Sequence, residues 1–348
     1  MKVIIYIGHH KVGSTALQAF LSQNYRLLLD HGILYPAVES EGLCHALAGT
    51  LKRPEAAQRN EMNLREPHNA LAFQMLAQAN KTKPPAWHGN LPAVGQMIRT
   101  LRLQVQYLQP HTMLLCSEVL SNFGPHPKNL IQQLKNIFPQ AEYELYCALR
   151  RPDDYVVAWH GQRLRFGERI AALRKVGIKP YANTIHFDYH KLLAPWIAHF
   201  PEAQIHVRSY ADIIKSGGSA QDFMAATSAN FPAMLTKTGT ANTSLPRAAM
   251  EIIRRGNHSL EPGAAQMLAK FFQSPLNNLK PDPRDRGNSP IVSTDRPGIL
   301  AGYEPARLHR LVATRLYGLS YAPPLTQRCT DDHPTKFHLS RNHDLYRA

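Results

Sequence analysis

Apolar positions along this chain fall into two kinds of stretch. Short unbroken runs of strand length occur at Val3 to Ile7 and Met113-Leu114-Leu115-Cys116, a third strand is expected at Tyr143 to Leu149, and Gln204-Ile205-His206-Val207-Arg208 reads as a fourth. Between them the apolar residues recur at helical spacing. Thr15 to His31 predicts an amphipathic helix with Leu17, Phe20, Leu21, Leu27 and Leu28 on one face, ended by Gly32. Ile33-Leu34-Tyr35-Pro36 then turns into a polar, His-, Gln- and Asn-rich stretch reaching to about Asn90, expected as an inserted helical or loop region outside the sheet. From Leu91 the spacing of Val94, Ile98, Leu101, Val105 and Leu108 predicts a helix that stops at Pro110, and a further helix is expected around Leu130, Leu134, Ile137 and Phe138.

Strand-helix alternation of this kind predicts βαβ units, hence an α/β fold with a central parallel sheet and helices on both faces. The second half is more helical. His186 to Phe200 places Leu192, Leu193, Trp196, Ile197 and Phe200 on one face, and helices are expected at Ala220 to Ala229, Leu245 to Arg255 and Glu304 to Leu316. Lys280 to Pro297 reads as a loop. The expected organisation is one domain over 1–325, with an insertion at about 40–110, followed by a polar tail at 326–348.

Composition narrows the function classes. The 348 residues are 44% hydrophobic, which suits a packed core. Without an uninterrupted membrane-length apolar stretch, and with a first apolar run too short and wrongly flanked for a signal peptide, the expectation is a cytoplasmic protein whose only membrane contact would be peripheral. Cys44, Cys116, Cys147 and Cys329 are too scattered for a disulfide framework or a zinc site, and Cys116 and Cys147 sit in strand-like runs as small hydrophobes. A formal charge of +15 favours an anionic partner. The basic residues are dispersed, with no basic arm or aromatic RNP-type motif, so no nucleic-acid partner is expected.

The chemistry starts at Gly8-His9-His10-Lys11-Val12-Gly13-Ser14-Thr15, a glycine-bracketed loop between the first strand and the first helix. Strand, loop and helix N-terminus together present backbone N–H groups to an anion, and Gly8 and Gly13 permit the tight turn. The spacing approaches G-x-x-x-x-G-K-[ST], but the lysine stands mid-loop, which argues against an ordinary ATPase or kinase. Ligands of parallel sheets bind beyond the carboxyl ends of the strands. Lys11, Glu118 and Arg150 each follow such an end.

The string His10-Lys11-Val12-Gly13-Ser14-Thr15-Ala16-Leu17-Gln18 resembles the 5′-phosphosulfate loop of sulfotransferases, and Arg150-Arg151-Pro152 with the helix after it is similar to that family's 3′-phosphate motif. Phe187-Asp188-Tyr189, Ile205 to Tyr210, Asp222-Phe223-Met224 and Asn242-Thr243-Ser244-Leu245 are similar to bacterial sulfotransferases acting on carbohydrates or lipids. The resemblance implies a three-layer P-loop-type fold and 3′-phosphoadenosine 5′-phosphosulfate (PAPS) as donor. It implies a sulfuryl transfer to a hydroxyl or amine of a carbohydrate or glycolipid acceptor, with no metal. Gly8, His9, Lys11, Val12, Gly13, Ser14, Thr15 and Arg150 would then hold the nucleotide, and Lys11 would neutralise the bridging oxygen. One departure stands out: the serine that grips the 3′-phosphate two turns into the helix reads Ala158.

Glu118 occupies the chain position of the catalytic histidine of cytosolic sulfotransferases, and a carboxylate of ordinary pKa is ionised and able to accept a proton at pH 7. The alternative is that Ser117-Glu118 caps a helix or pairs with an arginine. His9 and His10 are rival bases or sugar contacts. Arg150 binds phosphate or pairs with Asp153 or Asp154, while Gln162, Arg163 and Arg165 assist the nucleotide or form a solvated basic face. His186 and His190 have metal-binding helical spacing, although a structural role fits their surroundings better. Two other functions compete: a nucleotide- or polyanion-binding protein without activity, and a P-loop kinase with a displaced lysine.

Overall fold

The computed structural model describes residues 1–50, 62–173, 175–236, 245 and 247–272. Five strands form one sheet: β1 (Lys2–Tyr6), β2 (Ile33–Leu34), β3 (Thr112–Cys116), β4 (Glu142–Leu149) and β5 (Gln204–Ser209). All pairings are parallel and the order is β2-β3-β1-β4-β5. β1 is central, flanked by β3 and β4, which explains its continuous apolar character.

Side chains alternate across the sheet. Val3 and Ile5 join Met113, Leu115, Leu145 and Cys147 on one face, whereas Ile4 and Tyr6 join Leu114, Cys116, Tyr146 and Ala148 on the other. Helices cover both. The first face packs on helices Pro67–Asn80, Val94–Leu108, Leu130–Lys135 and Tyr189–His199, and the second on α1 (Ser14–Gln23) and helices Tyr25–Asp30, Tyr210–Lys215 and Ser219–Ala226. A smaller cluster joins helix Pro152–Arg165 to Arg247–Ser259 and Pro262–Phe271 through Val157, Leu164, Met250, Ile253 and Ala269. No helix among the described residues is long and apolar enough to cross a membrane.

Two local expectations change. The helix expected over Thr15 to His31 breaks at Asn24, whose buried side-chain amide donates to Phe20 O at 2.8 Å and to Thr236 O at 3.0 Å, competing with the helical ladder. Ile33–Leu34 is an edge strand on β3 rather than the start of a loop. The described residues of the polar stretch before Asn90 are largely helical and lie outside the sheet as expected, with Ala70, Leu71, Ala72 and Met75 as core residues. Helix Val94–Leu108 packs Val94, Ile98, Leu101 and Val105 on the core as expected and adds Met97 and Gln104 to its buried face, while Leu108 is exposed. Cys116 and Cys147 are buried free thiols. The Asn242 to Ser244 motif segment, the loop at Lys280 to Pro297, the helix at Glu304 to Leu316, Cys329 and the 326–348 tail lie outside the described residues.

The register positions the site. Tyr6 pairs with Cys116 and with Tyr146, and the ladder to β4 continues past β1 through Ile7 N–H to Tyr146 O and His9 N–H to Ala148 O, both at 2.9 Å. The ends of β1, β3 and β4 therefore open on one edge.

Candidate functional site

Sequence dictates the loop between β1 and α1 by two constraints. Gly13 has φ +87°, and a Cβ there would lie 2.1 Å from Ser219 Oγ, so both conformation and space demand glycine. Gly8 is required by its own strand, since a Cβ would meet the Tyr6 ring at 2.5 Å. Lys11 itself adopts φ +62°, an uncommon conformation for a residue with a side chain. Among the described residues, the backbone N–H groups of Lys11, Gly13, Ser14 and Thr15 have no hydrogen-bond partner, while Val12 closes the turn at His10-Lys11. Four donors without a protein acceptor at the N-terminus of α1 are what an anion site at a helix start requires.

Cations surround that nest. The Lys11 ammonium is held below its ordinary pKa by burial, then by Arg165 and Arg150, with Glu118 acting in the opposite sense. Arg150 has no carboxylate partner among the described residues; its guanidinium lies 5.3 Å from the Tyr210 ring centre, and its carbonyl accepts from Tyr189 Oη at 2.6 Å. Arg151 instead takes Asp153, at 2.7 Å. The two adjacent arginines thus separate, one toward the site and one onto the helix start. Arg163 is committed to Glu168 and Tyr181, while Arg165 and Gln162 line a recess with Lys11, Ala158, Gly161, Leu245 and Met250. Ala158 stands in the recess that Lys11 enters.

Glu118 follows β3 and faces α1 and the helical insert. Gln18 Nε2 donates to its Oε2 at 3.3 Å and Asn69 Nδ2 to its Oε1 at 3.2 Å. Burial and then Glu66 push its carboxyl up to about 7, against hydrogen bonds from Ser14 and Asn69 that favour the charged form. The expectation of an ordinary pKa is corrected: near neutrality this group both holds and releases a proton, as a general base requires. Capping falls to Ser117, whose Oγ accepts from Val119 N–H at 3.1 Å, and Glu118 has no arginine partner among the described residues.

The histidines divide differently from expectation. His9 is fully buried; its Nε2 donates to Ile185 O at 2.9 Å and its Nδ1 accepts from His10 N–H at 2.8 Å, so both ring nitrogens are used. Burial holds it well below its usual pKa, helped by His10 and His186. It supports the loop from beneath, with no atom left for a sugar or a phosphate. His10 stacks on Trp159 at 4.8 Å and is pushed down to about 3 by burial, then His186 and Lys11, which makes it a far weaker proton acceptor than Glu118. His186 precedes the helix that carries His190 and bonds Tyr155 Oη at 2.9 Å, so the two do not share a helical face. No group of three His, Cys, Asp or Glu among the described residues is arranged to hold a metal ion.

Sequence reasoning gave no role to Gln18, Glu66 or Asn69. Gln18 closes the loop string and carried a spacing signal; Glu66 and Asn69 lie in the polar stretch and carried none. Comparison with family models, curated proteins and solved structures finds no match to this chain.

Proposed function

We propose that the chain is a PAPS-dependent sulfotransferase of P-loop type acting on a carbohydrate or glycolipid acceptor. The observation that carries the reading is the set of free N–H groups around Lys11, in the electrostatic reach of a carboxyl that burial pushes up to about 7. The strand order, with β1 central and the chain crossing from β3 past it to β4, supports a ligand at that edge.

In this reading the 5′-phosphosulfate sits on the N–H groups of Lys11, Gly13, Ser14 and Thr15, and Arg150 with the Ala158 recess takes the 3′-phosphate. The acceptor oxygen attacks sulfur in line as the bond from sulfur to the bridging oxygen breaks. Glu118 takes the acceptor proton, and the charge growing on the bridging oxygen meets Lys11 and the α1 N-terminus, which are oriented before the reaction begins. Adenosine 3′,5′-bisphosphate leaves. Exposed Trp87 and Phe166, stacked at 5.7 Å, join the insert to the end of the Pro152–Arg165 helix and offer aromatic surface of the kind a sugar ring packs on.

Incubation with radiolabelled PAPS and a panel of glycans and glycolipids tests the reading. Labelled product from wild type, lost in Lys11→Ala, is the expected result; PAPS binding without transfer to any acceptor removes the enzyme claim. The second reading is a nucleotide-binding protein without turnover, and Ala158, which takes one hydroxyl from the 3′-phosphate position, is the departure from the family pattern that motivates it.

A further inference from the structure

The helical insert brings a second carboxylate to Glu118. Glu66 stands just before the Pro67–Asn80 helix without a side-chain cap bond and is buried with His68 and Asn69 at the helix start. Asn69 Oδ1 accepts from Ser117 Oγ at 2.6 Å and Gln18 Nε2 at 3.1 Å, which fixes the direction of the amide. Its Nδ2 therefore faces acceptors, and it finds two: Glu66 Oε2 at 2.9 Å and Glu118 Oε1 at 3.2 Å. A carboxamide supplies one N–H to each carboxylate and no charge to either. Two like charges are left side by side, where ionising one opposes ionising the other.

The surroundings do not cancel this opposition. Arg65 grips Glu66 Oε1 at 2.6 Å on the side away from Asn69. Lys11 faces Glu118 from the loop, but it is itself shared with Arg165 and Arg150 as neighbours. α1 offers Glu118 only the neutral Ser14 and Gln18. Tyr6, Tyr35 and Cys116, which also sense Glu118, are kept protonated chiefly by burial.

We propose that Glu66 is a positioning residue for Glu118, set against it through the shared Asn69 amide, so that the Glu66 charge holds the proton on Glu118. The insert thereby decides when Glu118 is free to accept a proton. The role of Glu118 as base rests on the sulfuryl-transfer reading; the coupling of the two carboxylates does not.

The test is a titration of the full chain carrying 13C-labelled glutamate carboxyls, with the Glu118 resonance identified by its loss in Glu118→Gln. Wild type is expected to titrate at about 7. Glu66→Gln lowers that midpoint by about one pH unit or more, and Arg65→Gln, which bares the Glu66 charge, raises it. An unmoved Glu118 midpoint in folded Glu66→Gln overturns the proposal whatever the activity. Should Glu66→Gln fail to fold, Arg65→Gln decides: a midpoint that stays or falls overturns the proposal. In active protein the acid limb of kcat/KM follows the resonance by the same shift. A midpoint that moves in protein unable to transfer sulfate keeps the coupling and removes the sulfotransferase reading instead.

Discussion

Glu144 and Glu118 sit at opposite ends of the same sheet, and their environments are opposites too. Glu144, near the start of β4, is 1% exposed, and burial alone would raise its carboxyl; hydrogen bonds from His206 Nε2 at 2.8 Å and from Ser228 N–H at 3.0 Å and its hydroxyl outweigh burial and hold the group below its usual range. Lys2 Nζ stands 3.9 Å away. Glu118, just past the end of β3, has amides and a hydroxyl for neighbours and a second carboxylate behind them, and burial wins. The lesson lies in the supply of charged or strong donors. At one end every polar group is answered and the cluster is structural, whereas at the other a cation set, free backbone N–H groups and a protonatable carboxyl await partners.

The contrast can be broken at either end. Lys11→Ala carries the largest expected effect, a loss of sulfuryl transfer on the order of 100-fold or more with the fold retained, read by initial rates and circular dichroism. Next, Glu144→Gln leaves His206 and Ser228 without their charged acceptor and should cost about 1–3 kcal/mol in urea unfolding, without altering nucleotide binding.

Glu118→Gln has the opposite sign. The folded-state carboxyl at about 7 lies above an unfolded glutamate near 4.3, so the folded state holds the proton more tightly. That stabilisation is complete below the unfolded value and is lost as pH rises through about 7. The variant, which does not titrate there, should match wild type near pH 4 and exceed its melting temperature increasingly toward pH 8. A flat difference across that range would show that Glu118 is not burdened by its site. The smallest effect is expected from Ala158→Ser, which returns a hydroxyl to the recess and should tighten adenosine 3′,5′-bisphosphate by several-fold, about 1 kcal/mol, in calorimetry.

Much of this architecture is readable in the chain because strands buried on both faces leave unbroken apolar runs, as Val3 to Ile7 and Met113 to Cys116 do. The three polar residues that end such runs, Lys11, Glu118 and Arg150, follow from the same pattern and the parallel-sheet rule. What escaped has physical reasons as well. A two-residue edge strand such as Ile33–Leu34 has no period to detect, and Asn24 breaks a helix through a partner, Thr236, remote in sequence. Asn69 and Glu66 matter only because tertiary packing sets them against Glu118; in sequence they are two polar residues among many. His9 reads as reactive beside Lys11, and only the Ile185 carbonyl and the His10 N–H reveal that both its nitrogens are spent.

Titration calorimetry with adenosine 3′,5′-bisphosphate and ADP, without magnesium, on wild type and Lys11→Ala tests the central claim most directly. The account predicts that wild type binds the bisphosphate more tightly than ADP and that Lys11→Ala weakens it at least about tenfold, as expected for a lost charged contact in a nest of backbone donors. Equal affinity for the two nucleotides, or binding indifferent to Lys11, would contradict it.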